Sequence, residues 1–68
     1  MKMYENLKIE MVKKGITNTQ LATLLGIHVN SIANKILHGP FSIEEAFLIK
    51  NNYFPDLDIT YLFEKKAA

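Results

Sequence analysis

Thr17-Asn18-Thr19-Gln20-Leu21-Ala22-Thr23-Leu24-Leu25-Gly26-Ile27-His28-Val29-Asn30-Ser31-Ile32-Ala33-Asn34-Lys35-Ile36-Leu37 is the stretch that decides the fold. Thr17 and Gln20 form a capping-box pattern: the threonine side chain opens a helix, and the glutamine reaches back to the backbone N–H of the cap. The helix predicted there, 18–25, is short and buries Leu21, Ala22 and Leu25. Gly26 then lets the chain turn with no bulky side chain in the way, and Ile27 tucks into the core. A further helix is predicted over 28–37. Ile32 and Ile36 define its buried stripe, and Asn30, Ser31, Asn34 and Lys35 fill polar positions between its apolar ones.

Upstream, Leu7 and Met11 recur at i and i+4, with Met3 before them and Val12 beside, while Lys8, Lys13 and Lys14 fall elsewhere. That spacing predicts an amphipathic helix over about 4–14, closed by Gly15 as a C-cap. Downstream, Gly39-Pro40 breaks the chain, and Ser42-Ile43-Glu44-Glu45 is a second capping box. It starts a helix through Ala46, Phe47 and Ile49 to about residue 50, which Asn51-Asn52 is expected to unwind. Pro55 keeps the next link non-helical, and Asp58 caps a last short helix over about 59–65 with Leu62 and Phe63 as inward anchors. Residues 65–68 read as a fraying tail. The expectation is an all-α chain of five helices without strands, one domain over 1–68, with no repeat or linker.

Sixty-eight residues leave room for one modest core. The chain has no cysteine, so packing of helices must supply what a disulfide or a thiolate metal site would otherwise add. No apolar run approaches the ~20 residues that cross a bilayer, and residues 1–10 carry the charges of an amphipathic helix, not of a secretory signal. A cytoplasmic location is expected on that ground. The net charge of +1 divides unevenly. Up to Phe41, Lys2, Lys8, Lys13, Lys14 and Lys35 outnumber Glu5 and Glu10; beyond it, Glu44, Glu45, Asp56, Asp58 and Glu64 outnumber Lys50, Lys65 and Lys66. The split suggests one face for phosphates and another turned away from them.

A helix of about eight residues, a glycine turn and a second helix with a short, polar exposed side is the grammar of a DNA-reading helix-turn-helix, here over about 17–37. The residues Lys14-Gly15-Ile16-Thr17, Gln20-Leu21-Ala22, Leu24-Leu25-Gly26-Ile27 and Asn30-Ser31-Ile32 resemble the Cro/C1-type (XRE) helix-turn-helix family of phage repressors and bacterial regulators. Asp56-Leu57-Asp58-Ile59-Thr60-Tyr61-Leu62-Phe63 is similar to the last helix of such domains. The resemblance implies a compact five-helix, lambda-repressor-like domain that binds double-stranded DNA and regulates transcription, as a phage or prophage-type repressor does. It implies phosphate contacts from Asn18, assisted by Thr17 or Thr19, and from Lys35. It also implies base contacts from His28, Val29, Asn30, Ala33 and Asn34. An asparagine amide donates and accepts at once, which suits the N6 and N7 edge of adenine, and Val29 suits a thymine methyl. Lys13 and Lys14 either reach the DNA backbone or serve as a solvated helix end.

Departures from the family pattern bear on strength. The chain has no arginine, so guanine's strongest partner is missing, and Val29 stands where a longer polar residue is usual. Modest affinity per monomer, with specificity aided by pairing of two subunits on a two-fold site, follows from this. The same departures motivate an alternative, a protein-interaction module that keeps the fold with weakened DNA binding. Tyr53, Phe54, Tyr61 and Phe63 crowd the end of the chain; either Phe54, Tyr61 and Phe63 form a homodimer surface, or Phe47, Phe54, Leu57, Leu62 and Phe63 close the core with the tyrosines half-exposed. His28 and His38 have no further ligand at metal spacing, Ser42 reads as a cap, and Glu44-Glu45 diverge on a helix, so no metal, cofactor, small-molecule substrate or enzymatic activity is expected.

Overall fold

In a computed structural model, which describes residues 2–67, the chain runs β1 (Lys2–Met3), α1 (Glu5–Lys14), α2 (Asn18–Leu25), α3 (Val29–His38), α4 (Ile43–Tyr53), α5 (Ile59–Leu62) and β2 (Lys66–Ala67). The caps explain most boundaries. Thr17 accepts from the Gln20 N–H while the Gln20 side chain accepts from the Thr17 N–H at 2.7 Å, and Ser42 and Glu45 repeat the exchange at the start of α4. Asp58 accepts from the Tyr61 N–H and opens α5. Gly15 and Gly26 end α1 and α2 in the left-handed conformation, with φ of 69° and 68°, where a side chain would be strained.

Three ends differ from the sequence expectation. Asn51 and Asn52 do not unwind α4, which runs on to Tyr53: the Asn52 amide bonds back to the Leu48 carbonyl at 2.8 Å, and the Phe54 N–H closes the helix on Lys50. Helix α5 stops at Leu62, short of residue 65, because the Asn6 side chain takes the Tyr61 carbonyl at 2.9 Å and the chain then straightens. The end of the chain does not fray over 66–67. It pairs antiparallel with the start, Lys2 against Ala67 and Met3 against Lys66, a short strand pairing absent from the sequence reading.

Each helix gives one fully buried side chain to a common core: Leu7, Leu21, Ile32, Ile49 and Leu62, with Phe54 beside them from the α4–α5 link. Burial of each is worth about 1.5–3 kcal/mol relative to exposure. Tyr4, which the sequence reading did not single out, is also buried. Its N–H bonds to Ile36, its hydroxyl accepts from the Phe41 N–H, and its ring meets Phe41 and Phe63 edge-on at 5.0 and 6.0 Å. This aromatic trio closes over Gly39, whose φ of 69° and close approach to Tyr4 leave no room for a Cβ. Asn6 is the one buried polar side chain among the described residues, satisfied by Tyr61 and Glu64.

The aromatic cluster therefore follows the core-closing reading at Phe54, Leu57, Leu62 and Phe63, with the tyrosines partly exposed, and departs from it only at Phe47. Phe54 is fully buried and cannot form a dimer surface, Phe63 belongs to the aromatic trio, and Tyr61 is partly exposed with its hydroxyl donated to Glu10 at 2.8 Å. That bond to a carboxylate raises the Tyr61 hydroxyl above its ordinary range. Phe47, by contrast, is 47% exposed and lies outside the core, next to exposed Ile43 and Leu48 on α4. Among the described residues no helix is long and apolar enough to cross a membrane.

Candidate nucleic-acid interface

Helix α2 packs chiefly on α3 across the turn Gly26-Ile27-His28. The turn is fixed at both ends: the Gly26 N–H bonds to the carbonyls of Ala22 and Thr23, the Ile27 N–H to Ala22 at 3.1 Å, and Ile27 packs against the core. His28 is the N-cap of α3, its Nδ1 accepting from the Asn30 N–H at 3.3 Å. A neutral ring that accepts at Nδ1 carries its proton at Nε2. The histidine thus has a positioning role at the head of α3, with one donor still available.

Residues 29, 30, 33, 34 and 37 fall within one arc of α3 at 100° per residue, and buried Ile32 and Ile36 flank it on the Val29 side. Asn30 and Asn34 are exposed and one turn apart, Val29 and Leu37 are 37% and 38% exposed, and Ala33 is half-buried between them. The face therefore joins two amides to an apolar row, Val29, Ala33 and Leu37. Leu37 had no role in the sequence-derived site. Its adjacency to Ile36 was the available signal, because successive helical residues point 100° apart and only one of the two can face the core.

Thr17, Asn18 and Thr19 stand at the head of α2, beside this face. The Thr17 hydroxyl is engaged in the cap, Thr19 is exposed, and Asn18 is half-buried. Asn18 lines a groove of about 270 Å³ together with Lys8 and Val12 of α1 and Ala33 and Leu37 of α3. The backbone amides of Asn18 and Thr19, at the first two positions of the helix, have no acceptor within it. Neither α2 nor α3 carries a carboxylate in its first turn, whereas α1 and α4 do, and no acidic residue occurs between Glu10 and Glu44. Two helix N-termini with no competing carboxylate suit an anion.

The lysines divide sharply by partner. Lys35, assigned to a phosphate by the resemblance, is turned inward: its Nζ donates to Glu45 at 3.1 Å and to the Pro40 carbonyl at 3.3 Å, against the Phe41 ring. Burial works to raise the Glu45 carboxyl, but the Ser42 backbone N–H and the Lys35 ammonium outweigh it and hold it below the ordinary carboxylate range. Lys14 donates to the Tyr53 carbonyl at the end of α4, Lys65 to His38 at the end of α3, and Lys50 to Pro55. These ammonium groups complete backbone carbonyls near helix ends. Lys13 pairs loosely with Glu10 at 3.6 Å and is largely exposed, and Lys8 has no partner among the described residues. The positive half of the sequence thus contributes less free charge than its count suggests. Lys8, which sequence reasoning did not assign to the site, is the lysine that lines this groove.

No family model matches the chain, and neither a curated protein nor a solved structure matches it.

Proposed function

We propose that this chain is a sequence-specific double-stranded DNA-binding regulator of the phage-repressor type, a lambda-repressor-like domain with α2 and α3 as its helix-turn-helix. Helix α3 enters the major groove, where Asn30 and Asn34 meet base edges, with Val29, Ala33 and Leu37 against thymine methyls. The head of α2, through Asn18 and the Asn18 and Thr19 amides, sits on a phosphate, with Lys8 and Lys13 beside it. The observation that carries the reading is the exposed pair Asn30 and Asn34 on one face of α3, whose own first turn and that of α2 carry no carboxylate. Two copies pair on a two-fold site, as the few contacts per copy require for specificity.

The test is selection of duplexes from a random pool, followed by titration of the selected site with Asn30→Ala and Asn34→Ala variants. Each loses about 1–3 kcal/mol and relaxes preference at one base pair. Failure to select any duplex at low salt favours the second reading, an interaction module of the same architecture. A specific feature speaks for that alternative: Lys14, Lys35 and Lys65 are held by acceptors within the chain.

A further inference from the structure

The outer side of α3 consists of two parallel ridges of residues four apart. One is apolar, Val29, Ala33 and Leu37; the other, about 100° further round the helix, carries the amides of Asn30 and Asn34. Neither ridge carries a cation. The chain has no arginine, and Lys35, the one lysine of α3, falls outside this arc and is held by Glu45 and Pro40. His28, which accepts at Nδ1, offers a single Nε2–H that either purine N7 satisfies, so it does not separate adenine from guanine.

These groups favour one kind of base pair. Adenine shows one donor and one acceptor in the major groove and matches a whole asparagine amide, whereas guanine shows two acceptors and leaves the amide oxygen facing a like atom. An apolar ridge gains from thymine's C5-methyl, which cytosine lacks. The two ridges also have different neighbours. Ala33 and Leu37 line the groove shared with Lys8 and Asn18, and neither Asn30 nor Asn34 does, so the apolar ridge lies on the side of the head of α2. The same division runs across an A·T pair, with the methyl toward one strand and N6 and N7 toward the other. Four helical residues rise about 6 Å and one base step about 3.4 Å, so the asparagines stand nearly two steps apart and the apolar ridge spans about three to four.

We infer that α3 reads an unbroken run of about four A·T pairs with every adenine on one strand. The amide ridge lies on the adenines and the apolar ridge on the methyls of the facing thymines. The strand whose phosphate meets the head of α2 is the thymine strand. This half-site rests on the DNA-binding reading and adds to it a base class, a strand and one chemical group, the methyl that distinguishes thymine from uracil.

The test takes a duplex selected from a random pool and alters it one strand at a time, with affinity read by fluorescence anisotropy at low salt. Uracil in place of the thymines of the run weakens binding about fourfold per methyl removed. On the other strand, 7-deazaadenine, which lacks the N7 acceptor, weakens it roughly fivefold per adenine read. The penalties separate by ridge. Val29→Ala, folded by circular dichroism, loses the uracil penalty at one position and keeps the 7-deazaadenine penalties; Asn34→Ala does the reverse. A G·C pair between the two positions that Asn30→Ala and Asn34→Ala relax overturns the inference and leaves DNA binding standing. So does a run whose thymines are divided between the strands, a uracil duplex bound as tightly as its thymine parent, or a single variant that abolishes both penalties. If no duplex is selected, the DNA-binding reading itself is overturned and the half-site with it.

Discussion

Replacing Lys8 by glutamine removes one ammonium from the edge of the α3 face, and replacing Lys35 by glutamine removes one that points into the chain; the two changes alter net charge equally. On the proposed DNA-binding reading, their effects on duplex affinity differ because Lys8 has no described partner, whereas Lys35 is held by Glu45 and Pro40. Each cation that neutralises a phosphate contributes a slope of about 0.9 in log K against log salt. With Lys8 and Lys13 engaged, a bound copy has a slope near −2, and Lys8→Gln lowers its magnitude by ~0.9. Between about 50 and 200 mM salt, that change amounts to a three- to fourfold difference in relative affinity per copy. Lys35→Gln leaves the slope unaltered. Its cost appears in the fold instead, about 1 kcal/mol for a half-buried charge-assisted pair, or roughly 4–8 °C in Tm for a domain of this size. Fluorescence anisotropy of a labelled duplex across a salt series, with thermal melts of both variants, measures all four quantities. Equal slopes for the two variants, or a lower slope for Lys35→Gln alone, would refute the assignment of the cations.

The core makes a second contrast: Phe54→Ala costs about 3–5 kcal/mol in urea unfolding, while Phe47→Ala stays within about 0.5 kcal/mol, and similar losses would place Phe47 in the core. Gly39→Ala combines a positive φ with a Cβ 2.9 Å from Tyr4 Cε2. A loss of about 2–3 kcal/mol is expected by calorimetry, and an unchanged melt would show that the aromatic trio yields at little cost. Glu45 binds its proton less readily in the folded chain than in the unfolded one, since its folded pKa is lowered. Its contribution is therefore full above the ordinary glutamate value of about 4.3 and is lost as pH falls through the lower folded value. Urea midpoints against pH show this decline in the unaltered chain and a flatter profile in Glu45→Gln; identical profiles would remove Glu45 from the acid response.

What could be read directly from the sequence was local. Thr17 with Gln20, Ser42 with Glu45, and Gly15 and Gly26 fix helix ends through partners within a few residues, so their pattern is written in consecutive positions. The buried stripe of α3, and Leu21 and Ala22 of α2, followed from the same short period, whereas Leu25, expected with them, is only half-buried. What escaped was decided at a distance. Asn6 meets Tyr61 across 55 positions, Glu10 meets Tyr61 across 51, and Lys14 meets Tyr53 across 39, and no periodicity encodes such pairs. Lys35 looked like a surface cation because its partner, Glu45, lies beyond the Gly39-Pro40 break. Phe47 and Phe54 were alike by composition, and only the direction of α4 separates them, turning Ala46 and Ile49 inward and Phe47 out. The candidate site inherits the same division. The polar positions of Asn30 and Asn34 were legible from spacing and their expected role came from the family resemblance, whereas Lys8 and Leu37 joined the candidate site only when α1 was laid against α3.

The short antiparallel pairing of residues 2–3 with 66–67 brings the first and last described residues to neighbouring strands, with facing Cα atoms roughly 5 Å apart. Covalent ring closure would therefore need only a linker of a few residues. The gene could be cut instead in the Pro55–Leu57 link, giving a circularly permuted chain in which α5 precedes α1 and α3 lies at a different distance from either end.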